Sequence, residues 1–398
     1  MKRKLIKQIF NEWRSNLWIF IELILVSAFV FGLVFTLNNI LYVYNMPRNF
    51  DIDRTYEISY GYIPSEHETF DMDAAQEPMP TQVYKLLKTI RNHPIVEAAT
   101  MSFASNPYCS NSCGIMCRTD SNSTDFAQAG LYQISNDFPI VYKMKGINGE
   151  TPEQLAAILK EGKVLVSKDM FENAGNLVNS KLYDSNGTVY TVGAIIEPVR
   201  RNDYYENATG FFMALPDYMY GNWPVLAVRI KPEFNGDVTK TLVKEIRSGN
   251  LYVKNVEPMP SVRSKAIREG NIKVRNITII AIFVLFNLFL GVLGTFWLRS
   301  QSRTGEIAIR KVNGATHASI LRRMLGESMI ILTIAAAIGI PLGFLTINLI
   351  NKSEFFPETI ATSVIITYAT VALMTLLGTL FPTMKAMRIN PSEALKSE

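Results

Sequence analysis

Four long apolar runs dominate the pattern of hydrophobic and polar positions along this chain. They cover residues 17–43, 277–298, 329–350 and 360–381. The last three contain no Asp, Glu, Lys or Arg, and the first contains only Glu22. A helix of about 20 apolar residues can cross the hydrocarbon core of a bilayer, where the backbone must satisfy its own hydrogen bonds. The pattern therefore predicts an α-helical membrane protein with four transmembrane helices, one followed by three.

The first run is about twice as long as the apolar region of a signal peptide, and no small-x-small cleavage pattern follows it. We therefore interpret it as a retained anchor. Cationic residues near the span ends give the orientation, because cytoplasmic loops are enriched in Lys and Arg. These residues are Lys2, Arg3, Lys4, Lys7, Arg14, Arg299, Arg303, Arg310, Lys311, Arg322, Arg323, Lys385, Arg388 and Lys396. The pattern predicts a multi-pass protein with both termini in the cytoplasm.

The long segment between the first two spans has the composition of a large mixed α+β extracytoplasmic domain. Strand-like and helix-like stretches alternate with turn signals. We predict strands at 56–63, 163–167, 189–196 and 226–230, a helix at 81–92, and surface positions for the turn-rich stretches 102–123 and 200–210. Residues 261–276 are helical in composition and lead into the second span. Together with the long first span they are compatible with a projecting stalk or with simple tilting of long helices.

These predictions divide the chain into eight parts. They are a cytoplasmic segment (1–16), a first span (17–43), an extracytoplasmic domain with stalk (44–276), a second span (277–298), a cytoplasmic connector (299–328), a third span (329–350), a fourth span (360–381) and a cytoplasmic tail (382–398).

Charge and motif content exclude several function classes. The formal net charge is +5 and the mean hydropathy is +0.11. The excess positive charge lies at the cytoplasmic face, so it indicates membrane orientation and not nucleic-acid binding. The sequence has no P-loop, no dinucleotide-binding glycine pattern, no zinc-protease motif and no nucleophile elbow. We therefore predict no catalytic residue, no metal site and no cofactor on this chain.

Three cysteines, Cys109, Cys113 and Cys117, lie in the predicted extracytoplasmic domain. Their C-x3-C-x3-C spacing matches zinc-site spacings poorly, and no histidine lies nearby. We expect one disulfide and one free thiol, and the spacing leaves the pairing open.

Polar and helix-bending residues within the spans are further candidates. Glu22 is close enough to Arg14 to pair at the inner interface, although a charge within a span is also a functional candidate. Asn287 is suited to a hydrogen bond between helices. Gly339, Pro341 and Gly343 interrupt the third span and fit either close helix packing or a hinge, of which we favour packing.

The connector between the second and third spans is the most informative segment. Its residues Glu306, Ile307, Ile309, Arg310 and Lys311 form an amphipathic turn. Gly314-Ala315 then interrupts the helix, which resumes over residues 318–325. An amphipathic helix lying on lipid headgroups would share this composition.

The connector resembles the R-x-x-E-I-x-I-R-K-x-x-G-A signature of MacB/FtsX-like ABC transporter permeases. Arg303, Glu306, Ile307, Ile309, Arg310, Lys311, Gly314 and Ala315 match it, whereas Gly305, Ala308 and Asn313 depart from the usual residues. The family's C-terminal pattern is matched by Pro382, Ala386, Asn390, Pro391, Glu393, Ala394, Leu395 and Glu398. Residues 163–167 and 190–196 resemble the core of the MacB-like outer domain. No family feature matches the cysteine segment.

The resemblance implies that the matching connector residues form a coupling helix that docks on an ATP-binding subunit. It implies a second permease subunit, identical or related, and leaves open an extracytoplasmic adaptor or channel. Only sixteen residues precede the first span, so we expect ATP and Mg to bind a separate ATPase. The implied location is a bacterial cytoplasmic (inner) membrane, in contact with lipid.

We therefore expect a permease subunit that couples ATP hydrolysis on its partner to movement of its outer domain. Its activity would be the export or extrusion of a peptide, lipid or small molecule, and the chain itself would not be an enzyme. Two alternatives stay open. One is an ATP-driven signalling device that acts on an extracytoplasmic partner, and the other is a membrane-anchored binding module without an ATPase.

Overall fold

The computed structural model describes residues 13–171, 174–204, 209–350 and 356–388. The chain folds into two compact units. One unit is Val43–Gly270, and the other combines the residues on either side of it.

The described helices include four long ones and seven shorter ones. In chain order they are α1 (Trp13–Asn45), α2 (Met72–Ala75), α3 (Met79–Arg91), α4 (Phe138–Val141), α5 (Pro152–Lys160), α6 (Val238–Glu245), α7 (Met259–Ala266), α8 (Arg268–Ser302), α9 (Thr304–Val312), α10 (His317–Ile350) and α11 (Pro357–Ala386). Short 3-10 turns cover Ala174–Asn176 and Asp217–Gly221.

The described strands all belong to the unit Val43–Gly270. They are β1 (Thr55–Tyr62), β2 (Val96–Phe103), β3 (Cys113–Arg118), β4 (Ala127–Ile134), β5 (Val164–Ser167), β6 (Lys181–Asp184), β7 (Val189–Ile196), β8 (Gly210–Ala214), β9 (Val225–Ile230), β10 (Arg247–Ser248) and β11 (Leu251–Pro258).

Four helices among the described residues are long and apolar enough to cross a membrane, which confirms the predicted fold class. They cover Leu17–Asn45, Arg268–Ser302, His317–Leu349 and Pro357–Ala386. The chain is therefore a membrane protein with one apolar helix before, and three after, a mixed α/β domain.

The four long helices share one apolar core. Ile19, Leu23 and Val30 of α1 pack with Leu332 of α10 and Val371 of α11. The buried face of α11 also carries hydroxyl residues at intervals of four or eight positions, namely Thr359, Ser363, Thr367, Thr375, Thr379 and Thr383. Small side chains at this spacing allow close helix approach in lipid, where the hydrophobic effect does not hold helices together.

The strands of the outer unit form one sheet in the order β10-β11-β1-β9-β2-β4-β3-β6-β7-β5-β8. An additional parallel pairing joins β8 to β4, so β4, β3, β6, β7, β5 and β8 close into a ring. Helix α3, which matches the helix predicted at 81–92, covers the other half of the sheet with the buried residues Val83, Leu86, Leu87 and Ile90. All four predicted strands are present, as β1, β5, β7 and β9.

The predicted surface position of residues 102–123 and 200–210 is wrong in part. Ser102, Asn106, Arg200 and Asp203 are each 1% exposed or less. These polar side chains can be buried because they form hydrogen bonds and ion pairs with other side chains and with backbone carbonyls. Composition alone does not reveal these partners.

Residues 261–276 are helical, as the sequence predicts, but two helices share them. Helix α7 ends at Ala266, and α8 begins at Arg268 and continues without interruption into the second span. The stalk stays a prediction.

Candidate functional site

Helix α9 forms because its apolar residues recur at helical spacing between two polar stretches. Ile307 is buried at 3% exposure, whereas Ile309 and Val312 are 51% and 66% exposed. The short helix therefore has one apolar side turned inward and a second apolar patch turned outward. We call Ile309 and Val312 the exposed patch of α9.

The inward side of α9 packs on the end of α11. Ile307 contacts a small cluster with Ile320, Ala386 and Met387. The ammonium of Lys311 also donates a hydrogen bond to the carbonyl of Met387 at 3.2 Å. The matched connector and the start of the matched tail are therefore in contact. Residues 389–398, with the rest of the tail pattern, lie outside the described part of the chain.

A buried ionic network precedes α9. Glu327 of α10 is 2% exposed and accepts hydrogen bonds from Arg299 at 2.8 Å and from Arg303 at 2.7 Å. Arg299 lies near the end of α8, and Arg303 is the residue before α9. One carboxylate therefore connects α10 with the end of α8 and the start of α9. We call these three residues the Glu327 network.

Glu327 is not among the site residues predicted from the sequence, and the sequence predicts that Arg303 contributes to ATPase coupling. Arg303 is 9% exposed and its guanidinium donates to Glu327, while its predicted role in ATPase coupling stays a prediction. A signal for Glu327 does exist in the sequence. It lies two residues before an uncharged apolar run, where an ionisable side chain needs a partner.

Glu306 and Arg310 pair with each other along α9. Nε and Nη2 of Arg310 lie 3.1 Å and 2.7 Å from the same carboxylate oxygen of Glu306. Burial acts to raise the pKa of Glu306, but the Arg310 hydrogen bond and the charges of Arg310, Arg303 and Arg323 outweigh it and lower the pKa. An i,i+4 pair in this order stabilises a helix.

The turn after α9 explains why the sequence has Gly314 and Ala315. The amide of Gly314 donates to the carbonyl of Lys311, and the amide of Ala315 donates to that of Arg310. This is the Schellman arrangement, in which the residue after the helix cap is left-handed. Gly314 has a φ of +83°, and glycine adopts this region without steric cost. The helix therefore ends where the sequence predicts.

Glu22 lies in the first span and faces α8. A Cβ built on Gly291 would lie 3.5 Å from Oε1 of Glu22. The carboxylate of Glu22 therefore lies next to the backbone of α8 at Gly291. The structure does not describe the side chain of Arg14, the predicted partner of Glu22. The interfacial pair therefore stays a prediction.

Asn287 is exposed on α8 and donates to the carbonyl of Phe283, one turn earlier, at 2.8 Å. Its amide is therefore bonded within its own helix. The predicted bond between helices, which needs a neighbour on this exposed face, stays a prediction.

Gly339 and Gly343 lie directly against the backbone of α1. A Cβ built on Gly339 would approach the carbonyl oxygen of Ile24 to 2.5 Å, and one on Gly343 would approach that of Ala28 to 2.5 Å. Helix α10 runs without interruption through Pro341. These contacts favour packing over a hinge, because each glycine lets two helix backbones touch.

The three cysteines are free thiols in the structure. Cys113 and Cys117 both lie on β3, and four residues of a strand span about 13 Å at 3.3 Å per residue. A disulfide requires Cα atoms closer than about 7 Å, so these two cannot pair while the strand is intact. The predicted disulfide stays a prediction, and strand geometry leaves open both Cys109–Cys113 and Cys109–Cys117.

The described residues show no group of three or more His, Cys, Asp or Glu that could hold a metal ion.

The C-terminal part of the chain is similar to a known family of permeases. Residues 278–391 match the family model of the FtsX-like permease C-terminal domain. An uncharacterized ABC transporter permease, YknZ of Bacillus subtilis, is 33% identical over 112 residues, which are 27% of this chain and 28% of that protein. The macrolide export ATP-binding/permease protein MacB of Bdellovibrio bacteriovorus is 32% identical over 110 residues, or 27% of this chain and 17% of its own.

A third relative is the macrolide export ATP-binding/permease protein MacB 1 of Yersinia pestis. It is 31% identical over 182 residues, which cover 44% of this chain and 27% of the relative. The matches thus span less than a third of each of these three relatives. The extracellular domain of YknZ from Gram-positive bacteria aligns over 50% of this chain and all of that domain, at 12% identity and a TM-score of 0.29, a likeness too slight to support an argument. Residues 278–391, which include most of the last three apolar helices, thus match the model of an FtsX-like permease C-terminal domain, and the chain is similar to the ABC transporter permease YknZ and to the ATP-binding/permease protein MacB.

Proposed function

We propose that this chain is the permease subunit of an ABC transporter complex and that a separate ATPase docks on the exposed patch of α9. The observation behind this proposal is that one side of α9 is buried against the rest of the chain while another apolar side is exposed. Its inner side is held by an apolar cluster and by the Glu327 network, while Ile309 and Val312 stay open. Apolar side chains that are exposed on a firmly held element are typical of protein interaction sites.

The attachment of α9 suits it to transmit force. A push on the exposed patch reaches Ile307 and the end of α11 through direct packing. It reaches α8 and α10 through Arg303, Glu327 and Arg299. ATP binding and hydrolysis on the partner would move α9, and α8 would carry the movement towards the outer domain. This chain then supplies the coupling, and ATP and Mg stay on the partner.

The same proposal includes a second permease subunit, identical or related, in the inner membrane of a bacterium, with both termini in the cytoplasm. Helix α8 supports pairing because it exposes Asn287 amid apolar side chains such as Phe283 and Phe286. Amides of this kind form hydrogen bonds between membrane helices. We propose export or extrusion of a peptide, lipid or small molecule as the activity, with an adaptor or channel as a further partner.

Co-purification tests the docking surface. The full chain is extracted from its native membrane in mild detergent, and ATP hydrolysis of the purified material is measured. We expect a P-loop ATPase to accompany the wild type and to be lost from the Ile309→Asp/Val312→Asp variant. The control is Val243→Asp, which places one such charge on an exposed apolar position of α6. An ATPase that stays bound to the double variant, or that is absent from the wild type in several detergents, would contradict the proposal.

A second set of variants separates partner contacts from helix stability. Glu306→Ala/Arg310→Ala removes the pair within α9, and we expect ATPase activity to fall while membrane insertion is retained. The exchanged variant Glu306→Arg/Arg310→Glu keeps a pair within the helix but reverses the charges that a partner meets. Activity that returns in the exchanged variant assigns the pair to helix stability, and activity that stays low assigns it to docking.

A further inference from the structure

The chain enters the outer unit after α1 and leaves it at the start of α8. The two segments at which it enters and leaves both contact one loop. We call residues 44–49 the entry segment, residues 263–270 the exit segment and residues 198–204 the root loop. By connectivity, the entry segment follows the first span and the exit segment leads into the second. All three belong to the unit Val43–Gly270.

The root loop bonds the entry segment at several points. Nη1 of Arg200 donates to the carbonyl of Met46 at 2.7 Å, and Nδ2 of Asn49 donates to that of Pro198 at 2.7 Å. The rings of Tyr44 and Tyr204 pack with their centroids 5.3 Å apart.

The root loop also bonds the exit segment. Nδ2 of Asn202 donates to the carbonyl of Ala266 at 3.3 Å. Gly270 lies directly against the ring of Tyr204, where a Cβ would overlap ring atoms. Glycine at position 270 is therefore what lets the start of α8 approach the loop so closely.

Asp203 joins the two segments ionically. Its carboxylate is 1% exposed, with Nε of Arg48 at 3.3 Å on one oxygen and Nε of Arg263 at 2.7 Å on the other. Tyr108 donates a further hydrogen bond at 3.1 Å. Arg48 belongs to the entry segment and Arg263 to the exit segment. A buried carboxylate that loses its partners is strongly destabilised, so the burial of Asp203 depends on the two arginines and Tyr108.

We propose that Asp203 is a positioning residue that makes the entry and exit segments move as one body. The movements of the first and second spans then reach the outer domain together and not separately. That these movements are driven by ATP rests on the proposed function. The joining of the segments does not, because it follows from contacts within the outer unit alone.

Hydrogen exchange of the full chain in detergent, read by mass spectrometry, tests the joining without any ATPase. Arg48→Ala is the first variant, since the Arg48 side chain is 35% exposed and its loss is compatible with folding. We expect exchange in the exit segment, on the opposite side of Asp203, to accelerate about tenfold, the factor for one hydrogen bond to a charged group. Arg263→Ala should have the same effect on the entry segment.

Asp203→Asn should accelerate both segments and leave the strand pair β1–β9 unchanged. Its matched control is Asp184→Asn, because Asp184 is also buried but accepts bonds from its own hairpin at Asn186 and Thr188. The proposal is overturned if Arg48→Ala leaves the exit segment unchanged, or if every variant accelerates the whole domain equally.

A second comparison measures transmission. With the co-purified ATPase present, adding ATP should change exchange in the outer sheet of the wild type and of Asp184→Asn. The same addition should change nothing in Asp203→Asn, although ATP hydrolysis continues. An ATP response that persists in Asp203→Asn overturns the transmitting role. If ATP does not change hydrogen exchange in the wild type, the proposed function is contradicted. The joining of the entry and exit segments, which is measured without ATP, is not affected by that outcome.

Discussion

The substitution Glu327→Ala tests the attachment of α9 most directly. It removes the carboxylate that accepts from Arg299 and Arg303 and leaves both guanidinium groups in place. Their side chains are 7% and 10% exposed, so water does not readily replace the lost anion. Both arginines would then lose the anion that they share in a buried site.

The expected cost follows from this burial. Removing one partner of a buried ion pair lowers the free energy of unfolding by about 3–5 kcal/mol. Glu306→Ala is the matched control on the same segment, because it also breaks a Glu–Arg pair. That pair is about one-third exposed and lies at i,i+4, so its loss should cost about 0.3–0.5 kcal/mol. The two substitutions should therefore differ about tenfold in energy.

Unfolding in mixed micelles, titrated with a denaturing detergent, measures both variants against the wild type. ATPase association is measured on the same preparations under conditions in which each variant is folded. We expect Glu327→Ala to weaken both the bundle and the association, and Glu306→Ala to leave the bundle nearly unchanged. If the two substitutions lower the unfolding free energy equally, the Glu327 network does not hold the helix ends together and the reasoning is refuted.

A triple substitution separates stability from coupling. Arg299→Met/Arg303→Met/Glu327→Leu replaces the whole network with apolar side chains of similar volume, a change that is often neutral or stabilising. We expect the bundle to regain most of the stability that Glu327→Ala loses. If the ionic network also fixes the angle of α9, ATPase stimulation stays low in this stable variant.

Three further predictions concern other parts of the chain. Gly339→Ala and Gly343→Ala should each lower bundle stability by about 1–3 kcal/mol, the usual cost of overpacking, because the added Cβ would lie 2.5 Å from an α1 carbonyl oxygen. Gly326→Ala in the same helix is the control, since a Cβ there meets no atom within 4 Å. Equal losses of stability in all three variants would contradict the close approach of α10 to α1. Burial and the charge of Asp203 raise the pKa of Tyr108 to about 12. Its contribution to stability is therefore complete below the ordinary pKa of 10 and is lost as pH rises through about 12, and an ultraviolet titration that finds an ordinary pKa would refute this. Burial, with Asp184, raises the pKa of the Cys117 thiol to about 12, so maleimide should label Cys109 and Cys113 before Cys117, and peptide mapping should find no Cys113–Cys117 disulfide.

The spans and several elements of the outer domain could be predicted from sequence because each has a local cause. Four uncharged or nearly uncharged runs have no other stable arrangement in lipid than helices. The helix α3 carries Val83, Leu86, Leu87 and Ile90 at one helical stripe, and all four are buried. The end of α9 follows from Gly314, which tolerates the left-handed conformation that this turn requires.

The sheet order could not be predicted, because strand pairing depends on contacts that are distant in sequence. Strand β9 lies between β1 and β2, although more than 120 residues separate it from either. The parallel pairing of β4 with β8, which closes the ring, has no local signal at all. Alternation of apolar residues indicates that a segment is a strand, but it does not identify the neighbour.

The residues that sequence reasoning missed share one physical cause. Asp203 and Glu327 lie in polar stretches, where composition indicates surface, and both are buried. Each accepts from arginines that belong to other segments, Arg48 and Arg263 in one case and Arg299 and Arg303 in the other. A charge leaves water at acceptable cost only where such partners converge, and that convergence is a property of the fold. Buried carboxylates that join separate segments are therefore the site residues that the structure reveals and the sequence does not. In this chain both carboxylates bond to arginines in segments next to the membrane helices or at a helix end.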